Sequence, residues 1–231
     1  MLKSKELRAK AWESLKGKYW MALAVVLVLS LIISIGTSMV SIANNMTEVV
    51  NMVDPAEMDS TMKVGAGVVL GAAFIMSVIG FLLSVFVGTP AEIGLCNYFI
   101  KNTDSTPSFK DAFSGYKVKY ARNAGALLLV AIKSILWTLL FIIPGIIKSF
   151  EYQIIPYILA DDPEITTKDA FKKAKEMMTG NKWRLFKLDL SFFGWYVLCV
   201  LTLGIGTIFL LPYLNAAIAE FYVELKNKCA E

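Results

Sequence analysis

The sequence predicts an all-α, polytopic integral membrane protein, with about six transmembrane helices in three hairpins and amphipathic helices lying at the cytoplasmic membrane surface. Three observations carry this reading. Of 231 residues, 56% are hydrophobic and 18% charged, against roughly 45–50% and about 25% in soluble domains. The apolar residues gather in blocks long enough to cross a bilayer, which takes about 20 of them. Lys and Arg are confined to alternate connections between those blocks, the distribution that sets membrane orientation.

The first apolar run covers residues 19–43. Lys3, Lys5, Arg8 and Lys10 precede it, and Ser41-Ile42-Ala43 looks like a small-residue cleavage site. The run nevertheless exceeds the roughly 7–15 residues of a signal-peptide core, so an uncleaved first span is expected. Residues 44–63 are polar and carry Glu48, Asp54, Glu57 and Asp59. A second run, 64–88, continues as mixed helix over 90–101. Residues 102–108 are a polar loop and 109–122 a basic amphipathic segment. The third run, 123–143, is expected to reverse at Pro144-Gly145, since Pro ends a helix and Gly accepts positive φ. The fourth, 146–160, carries Lys148, Glu151 and Gln153 and is expected to be tilted or half re-entrant, sheltered by its neighbours. Residues 161–187 are polar and helical from Thr166, where Thr166 and Asp169 form a variant capping box. The fifth run, 188–203, turns at Gly204-Ile205-Gly206 into the sixth, 207–223. Alternation of basic and nearly charge-free connections closes with both termini in the cytoplasm.

One charged phrase is written twice. Residues 10–20 read KAWESLKGKYW and residues 173–183 read KAKEMMTGNKW. A shorter form is KDAF at 110–113, matched by KDAF at 168–171. Each stands before an outward run, which defines internal repeats 1–101, 102–165 and 166–231 of a single membrane domain. In each, a basic helix is expected to end at a left-handed Gly (Gly17, Gly115, Gly180), followed by Trp20 or Trp183 at the water line. With its Lys toward anionic lipid, this is an interfacial anchor. The return spans hold Pro90, Pro156 and Pro212 as expected kinks. Gly67-x-x-x-Gly71 and the Gly80, Ser84, Gly88 series suit close helix packing.

Several chemistries are excluded. Histidine is absent, which removes Ser-His-Asp and Cys-His triads and the HExxH zinc site. Cys96, Cys199 and Cys229 form no C-x-x-C pair. No cofactor motif and no catalytic or metal constellation is present. The basic belts adjoin membrane spans, so anionic lipid rather than nucleic acid is the expected partner, with another membrane protein or a second copy as further partners.

Lys133 lies within the third run, where a charge costs at least roughly 2.5–3.5 kcal/mol unless it faces protein or water. Counted from the Pro144-Gly145 turn, Glu151 is its expected partner across the hairpin. The pair serves either to fix the hairpin or to line a polar pathway.

GNKWRLFKLDLSFFGW (residues 180–195), LTLGIG, LPY, IIPGIIK, YILADDP and the N-terminal LKGKYW resemble the bacterial integral membrane family DUF975. The resemblance implies a multi-span protein of the bacterial cytoplasmic membrane with no established activity. The function expected from the residues is a non-enzymatic accessory or scaffold role, binding lipid or other membrane proteins. The alternative is a small transporter or channel with a polar site around Lys133 and Glu151.

Overall fold

The computed structural model describes residues 2–54, 56–117, 119–140 and 142–230. Among them the chain is helical, without strands. In order come α1 (Ser4–Leu15), α2 (Tyr19–Asn51), α3 (Ser60–Leu83), a π-helical turn (Ser84–Gly88), α4 (Thr89–Asp104), a 3-10 turn (Phe109–Phe113), α5 (Ser114–Lys117), α6 (Tyr120–Leu140), α7 (Ile142–Tyr152), α8 (Ile155–Asp161), α9 (Thr167–Met178), α10 (Lys182–Leu190), α11 (Phe193–Leu201) and α12 (Ile205–Ala230). They form two compact units, Ser30–Thr89 and a larger one of Met1–Leu29 with Pro90–Glu231.

Four helical stretches are long and apolar enough to cross a membrane: Tyr19–Asn51, Ser60–Asp104, Tyr120–Leu140 and Ile205–Cys229. The count falls below six because the expected fourth and fifth spans are each broken. The fourth divides at Gln153-Ile154, and Pro156 stands in the first turn of α8, where its missing N–H costs no helical bond. The fifth divides at Ser191-Phe192, and its first half belongs to a helix already begun at Lys182. Pro212 lies inside α12, and Pro90 lies inside the continuous helical stretch Ser60–Asp104. Pro90 follows the π-helical turn: the Thr89 N–H reaches back to the Ser84 carbonyl, and the Thr89 hydroxyl donates to the Val85 carbonyl at 2.5 Å. One extra residue in that turn accommodates a proline that can neither donate nor tolerate an ordinary helical carbonyl behind it.

The reversal after the third run does not lie at Pro144-Gly145. Helix α7 already begins at Ile142, so Pro144 sits in its first turn, where Pro is tolerated. Gly145 serves packing instead. A Cβ there would stand 2.8 Å from Thr138 Cα on α6, so the hairpin closes only around glycine. The true turn into α12 uses Leu203 (φ 52°) and Gly204 (φ 86°).

In the Ser30–Thr89 unit, α2 extends eight residues past the expected apolar run, to Asn51. Asp59 caps α3 by accepting the Met62 N–H at 2.7 Å. The two helices meet at Gly36 and Gly80: a Cβ on Gly36 would fall 2.5 Å from the Gly80 carbonyl, and one on Gly80 2.7 Å from the Gly36 carbonyl. The Gly80 stripe is therefore the packing face, while Gly67 and Gly71 face open space.

In the larger unit, α1 and α9 share their termini residue for residue at a spacing of 163. Both have 12 residues. Lys3 and Thr166 are the N-caps, with Glu6 and Asp169 as the acids three positions on. Lys16 (φ −60°, ψ 126°) and Thr179 (φ −64°, ψ 120°) end them, their N–H groups bonded to the Glu13 and Glu176 carbonyls. Gly17 (φ 79°) and Gly180 (φ 77°) then turn the chain. Leu7, Ala11 and Leu15 on one helix, and Ala170, Ala174, Met177 and Met178 on the other, are buried. They are covered by protein: α1 packs on α12 and α9 on α8. The expectation that these faces lie down on lipid is therefore corrected, because return helices already occupy them.

The middle segment differs. Residues 109–117 form a 3-10 turn and a short helix, started by Ser108 and Asp111 as capping box. Gly115 is not left-handed. It provides close approach: a Cβ would lie 2.0 Å from the Pro90 carbonyl, and one on Gly94 1.9 Å from the Ala112 carbonyl. Asn97 Nδ2 donates to Ser114 Oγ at 2.8 Å and to the Asp111 carbonyl at 3.2 Å. Thus 109–117 packs on α4, α9 on α8, and α1 on α12. The last junction is closed by Glu224, which accepts from the Leu2 N–H and from Arg184. Helices α8 and α12 meet at Tyr157, whose ring lies 5.9 Å from that of Tyr222.

The two kinds of glycine should separate on substitution. Gly17→Ala and Gly180→Ala meet no atoms within 4 Å and should each cost about 1 kcal/mol from left-handed strain alone. Gly94→Ala and Gly115→Ala drive a methyl into backbone and should lower the melting temperature in detergent much further. Equal losses in both pairs would contradict this assignment.

Candidate functional site

Helix α6 places Arg122 and Asn123 in its first turn and Lys133 and Trp137 four residues apart on one face. The Arg122 guanidinium donates to the carbonyls of Leu159, Asp162, Pro163 and Ile165 at 2.7–3.2 Å, and to Asn123 Oδ1. Leu159 is in the last turn of α8, whose carbonyls lack helical partners, and the other three lie in its connection to α9. Asn123 Nδ2 donates to the Gly115 carbonyl at 3.1 Å. Arg122 thereby fixes the start of α6 to the α8–α9 junction, and α7 returns along α6 through Gly145.

That placement brings Lys148 to 5.8 Å from the Trp137 ring and Glu151 into the space between α7 and α10. Glu151 is 3% exposed. Lys148 Nζ donates to Oε1 at 2.9 Å and Oε2 at 3.0 Å, and Lys182 Nζ donates to Oε2 at 2.7 Å. The expected Lys133–Glu151 pair is therefore corrected. Both carboxylate oxygens are held by Lys148 and Lys182. The count across the hairpin began from the wrong turn, and a lysine three residues earlier on the same helix competes at lower entropic cost. The Lys148–Glu151 spacing was a readable signal; Lys182 comes from a helix no local pattern could bring here. Lys133 Nζ instead lies 3.8 Å from the centroid of the Phe171 ring of α9. Phe171 packs edge-on to Tyr152 at 5.5 Å, and Tyr152 lies 6.0 Å from Lys148 Nζ. Lys133 and Lys148 thus flank one aromatic cluster, and Lys148 and Lys182 share one carboxylate.

The acidic stretch 161–164 disperses. Asp161 accepts from the Tyr222 hydroxyl at 3.0 Å and Lys226 at 2.8 Å. Asp162 Oδ1 accepts the Glu164 and Ile165 N–H groups, and Glu164 pairs with Lys119. Thr166 and Asp169 cap α9, as the spacing indicated. No group of three His, Cys, Asp or Glu placed to hold a metal occurs among the described residues. Asp189 bonds neither neighbouring cation: Arg184 is on Glu224 and Lys187 over Trp183. Trp20 and Trp183 are 75% and 62% exposed, and the thiols of Cys96 and Cys199 are buried while Cys229 is exposed.

Apolar helices long enough to span, with charged clusters placed on their flanks, define a helical membrane protein of unknown activity. Residues 123–229 match the family model described as protein of unknown function (DUF975). No curated protein and no solved structure matches the chain significantly.

Arg122→Ala should lower stability by about 2–4 kcal/mol, because several partly buried carbonyls lose their donor at once. Arg122→Lys, with no fork, should recover less than half of the loss in a thermal melt. Acid should act at a second point. The Lys101 ammonium bonded to Asp111, with the Ser108 N–H, holds that carboxyl below the usual carboxylate range. Its contribution is present above the unfolded-state pKa and is lost as pH falls through the lower, folded-state value. Asp111→Asn should flatten the fall in melting temperature between about pH 5 and pH 3. An unchanged slope would remove Asp111 from the acid response.

Proposed function

We propose that the chain is a non-enzymatic scaffold of the bacterial cytoplasmic membrane. Its helices would engage lipid headgroups and other membrane proteins from the cytoplasmic side. In this reading the four long helices cross singly. Helices α7–α8 and α10–α11 cross as broken pairs, which gives six crossings and leaves both termini in the cytoplasm. The three basic segments are amphipathic repeats closed head to tail, and their outward lysines face anionic lipid.

The observation that supports this best is where the reactive groups go. Glu151, Asp161, Glu164, Glu224 and Arg122 are each engaged in contacts between separate segments of the chain, and Asp162 closes its own turn. A reaction centre needs such groups convergent and unspent. For the transporter alternative, the engagement of Glu151 by two lysines is unfavourable, since a gate charge must change partners.

Cys229 is a native reporter of orientation, because the other two thiols are buried. A membrane-impermeant maleimide should label it in inverted vesicles and leave it untouched in intact spheroplasts. Labelling in spheroplasts would reverse the topology. In liposomes, the purified protein should pass no ions or small solutes above the background of empty vesicles. Specific, saturable flux would sink the scaffold reading.

A further inference from the structure

The cluster on α6, α7, α9 and α10 carries more positive charge than it needs to hold itself together. Lys148 and Lys182 share a single oxygen, Oε2 of Glu151. One carboxylate therefore braces two ammonium groups. Lys133 has only the π face of Phe171 against it, and no carboxylate bonds it among the described residues. Each ammonium has three N–H donors, so several remain unspent. The lysines are not sealed: the Lys148 and Lys182 side chains keep 24% and 28% of their surface accessible. An uncompensated cation on an apolar spanning helix is costly. An anion supplied from outside the chain removes that cost.

The surroundings say which kind of anion. Leu136 and Leu139 on α6, and Ile146 and Ile147 on α7, the helices that carry Lys133 and Lys148, are exposed. Trp183, stacked on Phe186 at 4.9 Å, stands next to Lys182. A small soluble anion has no use for such flanks, whereas a phospholipid has both a phosphate and acyl chains.

We propose that Lys133, Lys148 and Lys182, which Glu151 only partly neutralises, bind the phosphate of an anionic phospholipid, with its chains along the α6–α7 hairpin. This rests on the reading that the protein engages lipid, and it names a stoichiometric site in place of diffuse surface attraction.

The test uses full-length protein in nanodiscs of phosphatidylglycerol or of phosphatidylcholine, released for native mass spectrometry. Wild type should retain phosphatidylglycerol and shed phosphatidylcholine. Lys133→Gln should retain about tenfold less, the loss of one charge-assisted contact. Glu151→Gln should retain about threefold more, because it removes the competing carboxylate. Misfolding cannot move the two variants in opposite directions. Equal retention of the two lipids, or loss of retention in Glu151→Gln, overturns the site. Displacement of the lipid by millimolar inorganic phosphate, with phosphate then bound, overturns the lipid assignment in favour of a soluble anion. Neutralising Lys168, Lys172 and Lys175 on the outer side of α9 should weaken binding to phosphatidylglycerol vesicles while leaving lipid retention intact. If vesicle binding is insensitive to lipid charge in every variant, the broader lipid reading fails. If only retention is insensitive to Lys133→Gln, this site alone fails.

Discussion

The fork of Arg122 is the constraint on which the larger unit depends. Its five oxygen acceptors belong to the end of α8, the connection to α9, and its own neighbour Asn123. A lysine could neutralise charge there but could not bond along that many directions. With this point fixed, the start of α6, the end of α8 and the beginning of α9 are one rigid corner. Everything downstream inherits its position from that corner. Lys133 meets Phe171 because α6 and α9 diverge from it together, and α7 comes back past Trp137 because Gly145 lets it lie against α6. Backbone carbonyls at a helix end are a weak ligand individually and a strong one when a planar cation collects them.

The segments before the outward helices show how one sequence pattern can serve two physical ends. In α1 and α9 a glycine follows an extended residue and takes positive φ, which ends the helix. In the middle segment Gly115 keeps ordinary φ and is required by crowding. The glycine is required by conformation in the first two and by volume in the third. What all three retain is an acid three residues after the N-cap, Glu6, Asp111 or Asp169. That acid satisfies or stabilises the amides of the first turn.

Much of the helical order was legible because hydropathy and charge placement report helix existence directly. The capping of α9, the left-handed Gly17 and Gly180, and the exposure of Trp20 and Trp183 were each readable from local residues. What the sequence did not reveal was long-range. Nothing in its local pattern shows that the fourth and fifth apolar runs break at 153–154 and 191–192, because broken helices have the same composition as whole ones. The partner of Glu151 was misread because a turn was placed at Pro144-Gly145, two residues late, and because Lys182 arrives from another helix. Arg122 looked like one basic residue among several. Its value lies in carbonyls that no side-chain pattern advertises.

The closure of α1 on α12 has a consequence for biogenesis. Leu7, Ala11 and Leu15 are made well before the α12 surface that covers them. Until α12 leaves the ribosome, the nascent chain carries a greasy stripe without its final partner. The membrane surface beside the translocon is the nearest apolar shelter available to it. Docking of the Leu2 amide and Arg184 on Glu224 then ties α1 and α10 to that late helix. It can form only once Glu224 has been made, so a chain that stops short of α12 leaves the apolar face of α1 uncovered.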